Sequence, residues 1–133
     1  MKHLFLLAAC LMLAGCYESF EERCLREAKE HTEKFCPQQV EAGVVLDSTT
    51  YDIDTRTFNY WYSLHDSLDT PEAYMAMEEV RGQFRTELLR SLINSVKLKK
   101  CKEEGINFVY TYHSSTSKKL VLQEKFTKSD YKR

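Results

Sequence analysis

Strict alternation of apolar and polar residues over positions 57–64 constrains the fold of this chain more than any other feature. It would place four large apolar side chains on one face of a β-strand: Phe58, Tyr60, Tyr62 and Leu64. Residues 44–51 are rich in Val and Thr, which favours a second extended segment. Residues 52–56 suit a turn, so the two segments are expected to pair as a β-hairpin.

A second hairpin is expected near the end of the chain. Apolar residues alternate with polar ones over 106–112, a loop rich in Ser and Thr follows, and a returning strand spans 120–126. The core-facing positions of this hairpin would be Ile106, Phe108, Tyr110, Tyr112, Leu120, Leu122 and Phe126.

A helix is predicted before each hairpin. In the first, over residues 18–35, one stripe recurs at helical spacing: Phe20, Cys24, Ala28, His31 and Phe35. Pro37 ends this helix. The second begins at Thr70-Pro71-Glu72, which supplies a cap, a first-turn proline and an acid near the positive end of the helix dipole. Its stripe would be Tyr74, Met77, Val80, Phe84, Leu88, Leu92 and Val96.

The order helix, hairpin, helix, hairpin predicts an α+β fold. Each helix must bury one stripe and each strand one face. The simplest arrangement has two layers: a four-stranded antiparallel sheet with both helices on the same face.

The start of the chain is expected to be a targeting signal. Met1, Lys2 and His3 form a basic end, and positions 4–13 are apolar, which is too short to span a bilayer. Leu13-Ala14-Gly15-Cys16 then resembles the lipobox of bacterial lipoproteins. This resemblance implies that the Cys16 thiol carries a diacylglyceryl group and that residues 1–15 are removed as a signal peptide. Residues 16–133 would then form a single lipid-anchored domain.

The lipobox resemblance also implies a location. Lipoproteins of this kind that stay in the inner membrane often have aspartate after the lipidated cysteine, and this chain has Tyr17. We therefore expect an outer-membrane protein that is attached to the membrane through acyl chains on Cys16. Each methylene buried in the bilayer contributes about 0.8 kcal/mol to this attachment. An ordinary signal peptide with an incidental Cys16 is the alternative.

Charge argues against nucleic acid as a partner. The chain has 19 basic and 20 acidic residues, and its formal net charge is −1. It has no basic patch with interleaved aromatic residues of the kind that binds nucleic acid.

The three cysteines after Cys16 (Cys24, Cys36 and Cys101) suggest a disulfide, since the envelope is oxidising. Cys24 and Cys36 would lie about 18 Å apart along a helix, and a disulfide tolerates Cα separations only to about 7 Å. Cys36 and Cys101 each follow a predicted helix, so we expect them to pair and Cys24 to stay free. The alternative is that all three are reduced and buried.

Candidate catalytic and metal sites are weak. His65-Asp66-Ser67 contains the residue types of a catalytic triad, but consecutive residues rarely reach one another as a triad requires. Cys24, His31 and Cys36 have spacings unlike those of zinc sites. Asp47, Asp52 and Asp54 bracket a turn and are too few for a calcium loop. We therefore expect no cofactor and no metal.

The sheet face opposite the helices is the predicted partner surface. Trp61, Val109 and Val121 occupy alternating strand positions that would point to that face, with His113 nearby in register. The expected function is a non-enzymatic envelope module that binds a protein or a glycan. The alternatives are a spacer at the membrane, or a small hydrolase or enzyme inhibitor with a pocket between helix and sheet, lined by Tyr60, Tyr62 and Tyr110.

Three stretches of the mature chain are similar to small lipoproteins of Gram-negative anaerobes. These are residues 36–40 (Cys-Pro-Gln-Gln-Val), 46–48 (Leu-Asp-Ser) and 60–64 (Tyr-Trp-Tyr-Ser-Leu). The likeness extends over residues 36–127. It implies the same order of helices and hairpins and no known catalytic residues.

Overall fold

A five-stranded mixed sheet forms the centre of the protein. The computed structural model describes residues 17–132. The strands are β1 (Gln38–Glu41), β2 (Val44–Asp52), β3 (Thr57–Leu64), β4 (Asn107–Ser114) and β5 (Leu120–Phe126), and they lie side by side in that order. Neighbouring strands are antiparallel except β3 and β4, which run parallel.

Helices precede the sheet, connect its two halves and follow it. They are α1 (Phe20–Phe35), α2 (Pro71–Glu79), α3 (Arg81–Asn94), α4 (Lys99–Glu103) and α5 (Lys128–Tyr131). A 3₁₀ turn, Asp66–Leu68, leads from β3 toward α2. Among residues 17–132, no helix combines the length and the apolar character needed to cross a bilayer.

The α+β class is confirmed, but the predicted four-stranded antiparallel sheet is wrong in two respects. Strand β1 was not expected, because all four of its side chains are exposed and show no apolar alternation. Strand β4 lies parallel to β3 because the chain between them crosses over through three helices and re-enters the sheet from the same end.

The parallel pairing stacks the tyrosines of the two central strands. Tyr60 packs on Tyr110 with ring centroids 4.8 Å apart, and Tyr62 on Tyr112 at 4.5 Å. Phe84 of α3 meets Tyr112 edge-on at 5.4 Å. Helix α1 adds its buried Cys24 and Ala28 to the same core, so α1 and α3 share one face of the sheet, as expected.

The second predicted helix is interrupted. Thr70 accepts a hydrogen bond from the Ala73 amide at 3.2 Å, so the predicted cap is present. The helix then breaks at Val80 and α3 ends at Asn94. Of the predicted stripe, Leu92 is 1% exposed whereas Val80 is 50% and Val96 85% exposed, because the break and the helix end turn them away from the sheet.

Candidate functional site: a groove between the first helix and the second strand

Part of strand β2 has no neighbouring strand on its outer side. Strand β1 pairs only with Val44, Val45 and Leu46. A bulge follows, and residues 48–52 pair with β3 alone. Unpaired strand edges expose backbone groups to other chains, and proteins usually cover or blunt them.

Helix α1 covers this edge through one threonine. The Thr49 amide donates to Thr32 Oγ1 at 2.9 Å, and the Thr32 hydroxyl donates to the Thr49 carbonyl at 2.9 Å. The Thr49 hydroxyl in turn donates to the Ala28 carbonyl at 2.8 Å. These bonds satisfy the outward backbone groups of Thr49, which is 3% exposed, and hold α1 beside β2.

A largely apolar groove of about 640 Å³ runs between α1 and this edge. Its helix side includes Leu25, Ala28 and Thr32, and its strand side is residues 48–51. Leu25 is 40% exposed, which leaves an apolar side chain open to a ligand. Concave apolar surfaces with a few polar groups are the usual form of a binding site.

Charged side chains form the rim of the groove: Arg26, Lys29 and Glu33. Arg26 pairs with Glu18 at 2.7 Å and with Glu30 at 3.2 Å. The hydrogen bonds that Arg26 donates to Glu18 raise the pKa of Arg26 above its usual value. Because Glu18 lies two positions after Cys16, the groove begins close to the start of the predicted mature chain.

Trp61 adjoins the groove. Its indole Nε1 donates to Thr50 Oγ1 at 2.8 Å, and Thr50 is one of the groove residues. Trp61 is the one tryptophan of the chain. The predicted surface residue therefore lies at the side of a site that sequence reasoning missed. The available signal was Leu25, an apolar residue outside the predicted stripe of α1.

The other predicted surface residues do not form an exposed apolar patch. Val109 is on the face opposite the helices but only 5% exposed. His113 lies 3.5 Å from Asp47 in a polar setting. Val121 packs against the core instead, because a bulge between Tyr112 and His113 shifts the register of β5.

A polar network occupies one end of the sheet face opposite the helices. The Ser63 hydroxyl lies 2.9 Å from Asp47 Oδ1 and 2.8 Å from His65 Nε2, and the other Asp47 oxygen faces His113. Ser63 is 4% exposed, so its hydroxyl has no room for a substrate carbonyl. The structure does not bring His65, Asp66 and Ser67 together as a triad, since Asp66 and Ser67 are exposed in the 3₁₀ turn.

A smaller cavity of about 240 Å³ contains Tyr60 with His31 and Glu27. It contains one of the three tyrosines expected to line a hydrolase pocket, together with a histidine and an acid, whereas Tyr62 lines a different cavity. Burial raises the pKa of Tyr60 well above its ordinary value and lowers that of His31. Both groups are therefore held neutral, and the Tyr60 hydroxyl is a poor nucleophile at neutral pH.

Cys24, Cys36 and Cys101 are free cysteines in the structure; Cys24 and Cys101 are buried, and Cys36 is partly exposed. The expected bond between Cys36 and Cys101 stays a prediction. Within residues 17–132, no group of three or more His, Cys, Asp or Glu side chains is arranged to hold a metal ion. Cys16 and the predicted lipobox lie outside the described residues.

The chain belongs to the family described as a domain of unknown function (DUF8479), whose model matches residues 19–122. No curated protein matches the chain.

Two solved structures share the fold. One, from Pseudomonas aeruginosa, is described as a secreted protein; it has a TM-score of 0.70 and 13% identity, and the match covers 87% of this chain and 100% of that one. The other is EpsS, the pilotin of the type 2 secretion system of Vibrio vulnificus, with a TM-score of 0.61, 10% identity and coverage of 85% and 92%. At these identities the likeness shows the fold alone.

Proposed function

We propose that this protein is an outer-membrane lipoprotein that binds a short amphipathic segment of a secretion-system protein. The observation that carries the proposal is the apolar groove between α1 and β2, with Leu25 exposed on its helix side. An apolar lining with a charged rim suits a peptide with one apolar face better than a glycan.

Two further observations support an envelope role. The lipobox would place acyl chains on Cys16, two positions before Glu18, which contacts the rim of the groove through Arg26. The fold is shared with a pilotin and with a protein described as secreted. A partner held in the groove would therefore be kept within a short distance of the membrane.

Acylation is tested by the intact mass of the protein extracted from membranes of the producing cell. The expected chain begins at Cys16 and carries the mass of two or three acyl groups. The variant Cys16→Ala is expected to leave the membrane fraction. A chain that starts upstream of Cys16, or that carries no acyl mass, contradicts the anchor.

The groove is tested with a photo-crosslinking amino acid at Leu25 and, as a matched control, at Met75. Met75 is 70% exposed on α2 and is not a groove residue. The proposal expects an adduct with a secretion-system protein from position 25 alone. Equal adducts at both positions contradict a groove-specific partner.

Affinity is measured with a synthetic peptide of the crosslinked segment. Trp61 adjoins the groove through Thr50, so its fluorescence should change on binding. Leu25→Glu puts a charge in the apolar groove and is expected to weaken binding at least tenfold, whereas Met75→Glu leaves it unchanged. Equal affinity for the wild type and Leu25→Glu would exclude the groove as the binding site.

The alternative hydrolase is supported only by the cavity around Tyr60, His31 and Glu27. A chromogenic ester that is hydrolysed by the wild type and not by Tyr60→Phe would favour it. Equal rates for the two proteins remove it.

A further inference from the structure

A concave surface of about 400 Å³ lies where the end of α3 meets α4 and α5. Its lining combines lysines with an acid, an aliphatic and an aromatic residue: Ile93, Lys99, Lys102, Glu103, Tyr131 and Lys132. Val96 borders it in the turn before α4, where its carbonyl accepts a hydrogen bond from the Lys99 amide at 3.2 Å. These lining residues together with Val96 are called the basic surface.

Two apolar side chains of the basic surface are open to solvent. Val96 is 85% exposed and Ile93 is 36% exposed. The ammonium group of Lys102 donates to the carbonyls of Leu92, Ile93 and Ser95 at 2.8, 2.7 and 2.9 Å. Lys102 thus fixes the end of α3, and with it the backbone that carries the two exposed side chains.

Lysines are concentrated around this surface. Positions 97–102 hold four lysines, and positions 128–132 hold two. Lys128 lies against the end of α4, since a Cβ added to Gly105 would meet its Cδ at 3.1 Å. Four of these lysines form no ion pair within residues 17–132: Lys97, Lys99, Lys128 and Lys132.

The nearby acids are mostly paired with other cations. Glu104 lies 3.2 Å from Lys100, and Asp130 lies 3.6 Å from Arg85. Glu103 is the acid that lines the concave surface itself, beside three lysines. The basic surface is therefore net positive, and it suits an anionic partner.

The basic surface also lies near the start of α1. Arg56 pairs with Glu21, in the first turn of α1, at 2.8 Å and donates to the Glu104 carbonyl, just after α4, at 3.2 Å. The start of α1 is therefore held beside the end of α4. Phe20, the first residue of α1, is four positions after Cys16, and four extended residues span at most about 14 Å. Acyl chains on Cys16 would keep the basic surface close to lipid headgroups.

We propose that the basic surface docks on the headgroups of an anionic membrane, with Val96 inserted among them. Lysines attract anionic lipids, and an apolar side chain among lysines is typical of a segment that lies at a membrane interface. The basic surface and the groove share no residue, so docking leaves the groove free. That a membrane is within reach rests on the proposed function.

Docking is tested by co-sedimentation of the full chain carrying Cys16→Ala, so that acylation plays no part. The probes are vesicles of phosphatidylcholine alone and vesicles that also contain phosphatidylglycerol. The chain is expected to bind the anionic vesicles more tightly. Each lysine removed should weaken this binding about fivefold, so Lys99→Gln with Lys132→Gln should weaken it about 25-fold.

A matched control changes the same charge elsewhere. Lys118→Gln with Lys119→Gln removes two exposed lysines from the loop between β4 and β5, which is not part of the basic surface. This double variant should bind the anionic vesicles as the parent chain does. Equal losses in the two double variants, or equal binding of the parent chain to both kinds of vesicle, overturns the proposal.

Insertion is tested with an environment-sensitive fluorescent amino acid at position 96 and, as a control, at position 75. Met75 is 70% exposed on α2 and lies outside the basic surface. Anionic vesicles should shift the emission at position 96 to shorter wavelength and leave that at position 75 unchanged. No shift at position 96, as expected if the surface binds an acidic protein instead of lipid, overturns the proposal, and so do equal shifts at both positions.

The vesicle experiments and the intact mass of the membrane-extracted protein separate this proposal from the lipid anchor. Vesicle binding together with acyl mass supports both. Vesicle binding by a protein without acyl mass supports the basic surface and contradicts the anchor. Acyl mass without vesicle binding contradicts the basic surface alone.

Discussion

The carboxylate of Glu124 lies 2.7 Å from Nη1 of Arg85 while its other oxygen lies 3.0 Å from Nε of Arg81. Glu124 is 4% exposed on β5, and both arginines come from α3. Arg85 also lies over the ring of Phe126 at 4.5 Å. The buried carboxylate of Glu124 therefore positions α3 over β5, and the two arginines of α3 balance its negative charge.

Glu124→Gln should destabilise the fold. The amide keeps the size of the side chain but removes the charge that both arginines contact, and charged hydrogen bonds contribute about 1.5–3 kcal/mol. We expect the free energy of unfolding in urea to fall by that amount. The control Glu78→Gln removes an acid that is 67% exposed and 3.6 Å from Arg81, and should change it by less than about 0.5 kcal/mol. Equal losses contradict the role of Glu124.

Leu92→Ala should lower the free energy of unfolding far more than Val96→Ala, although both residues fall on one predicted stripe. Leu92 is 1% exposed, and truncating a buried leucine costs about 2–5 kcal/mol. Val96 is 85% exposed, so its truncation should change stability by less than about 0.5 kcal/mol. Urea unfolding of the two variants measures this difference. Similar losses would show that the helix continues beyond Asn94.

Thr32→Val should open the edge of β2. The valine keeps the shape of the side chain but cannot bond the amide and carbonyl of Thr49, and leaving buried polar groups unpaired costs about 1–3 kcal/mol. The expected result is faster hydrogen exchange at the Thr49 amide and a lower urea midpoint. Thr86→Val, which loses only a bond to the Gly82 carbonyl on an exposed helix surface, is the control. Unchanged exchange at Thr49 would argue against the capping role.

Gly43→Ala and Gly82→Ala should change stability in opposite directions. Gly43 has φ +77°, and an added Cβ would lie 3.0 Å from the His65 carbonyl, so alanine should destabilise by about 1–2 kcal/mol. At Gly82, inside α3, a Cβ meets nothing within 4 Å, and alanine should stabilise by about 0.5–1 kcal/mol. Thermal unfolding of both variants checks the signs. Stabilisation by Gly43→Ala would contradict the turn geometry.

Alkaline pH should unfold the protein. Burial raises the pKa of Tyr62 to about 12 and also raises those of Tyr110 and Tyr112, whereas an unfolded tyrosine titrates near pH 10. Raised pKa values favour the neutral phenols in the folded state. Their contribution is therefore complete below about pH 10 and is lost as the pH rises toward 12.

Urea unfolding at several pH values between 9 and 11.5 measures this loss. The variant Tyr62→Phe has one fewer titrating phenol and should lose stability less steeply over this range. Stability that stays constant above pH 10 would show that the tyrosines are not buried as described.

The sequence predicted the parts of the fold that depend on neighbouring residues. Alternation at Phe58, Tyr60 and Tyr62 is local, and so is the cap at Thr70, and both predictions agree with the structure. The break at Val80 was missed because periodicity continues across it. Val121 was misplaced because one bulged residue reverses the side to which a strand position points.

The groove was predictable only in part. Trp61 was singled out by its residue type and strand position. Leu25 was not, because its exposure depends on how α1 lies against the edge of β2.

By itself, the sequence determined the α+β class, the two hairpins and the lipobox expectation, because each depends on residues within a few positions of one another. Only the tertiary structure decided that β3 and β4 run parallel and that α1 closes the edge of β2 at Thr49. These contacts join residues separated by 17 to 50 positions. Their choice depends on how whole elements bury apolar surface together, which no local pattern records.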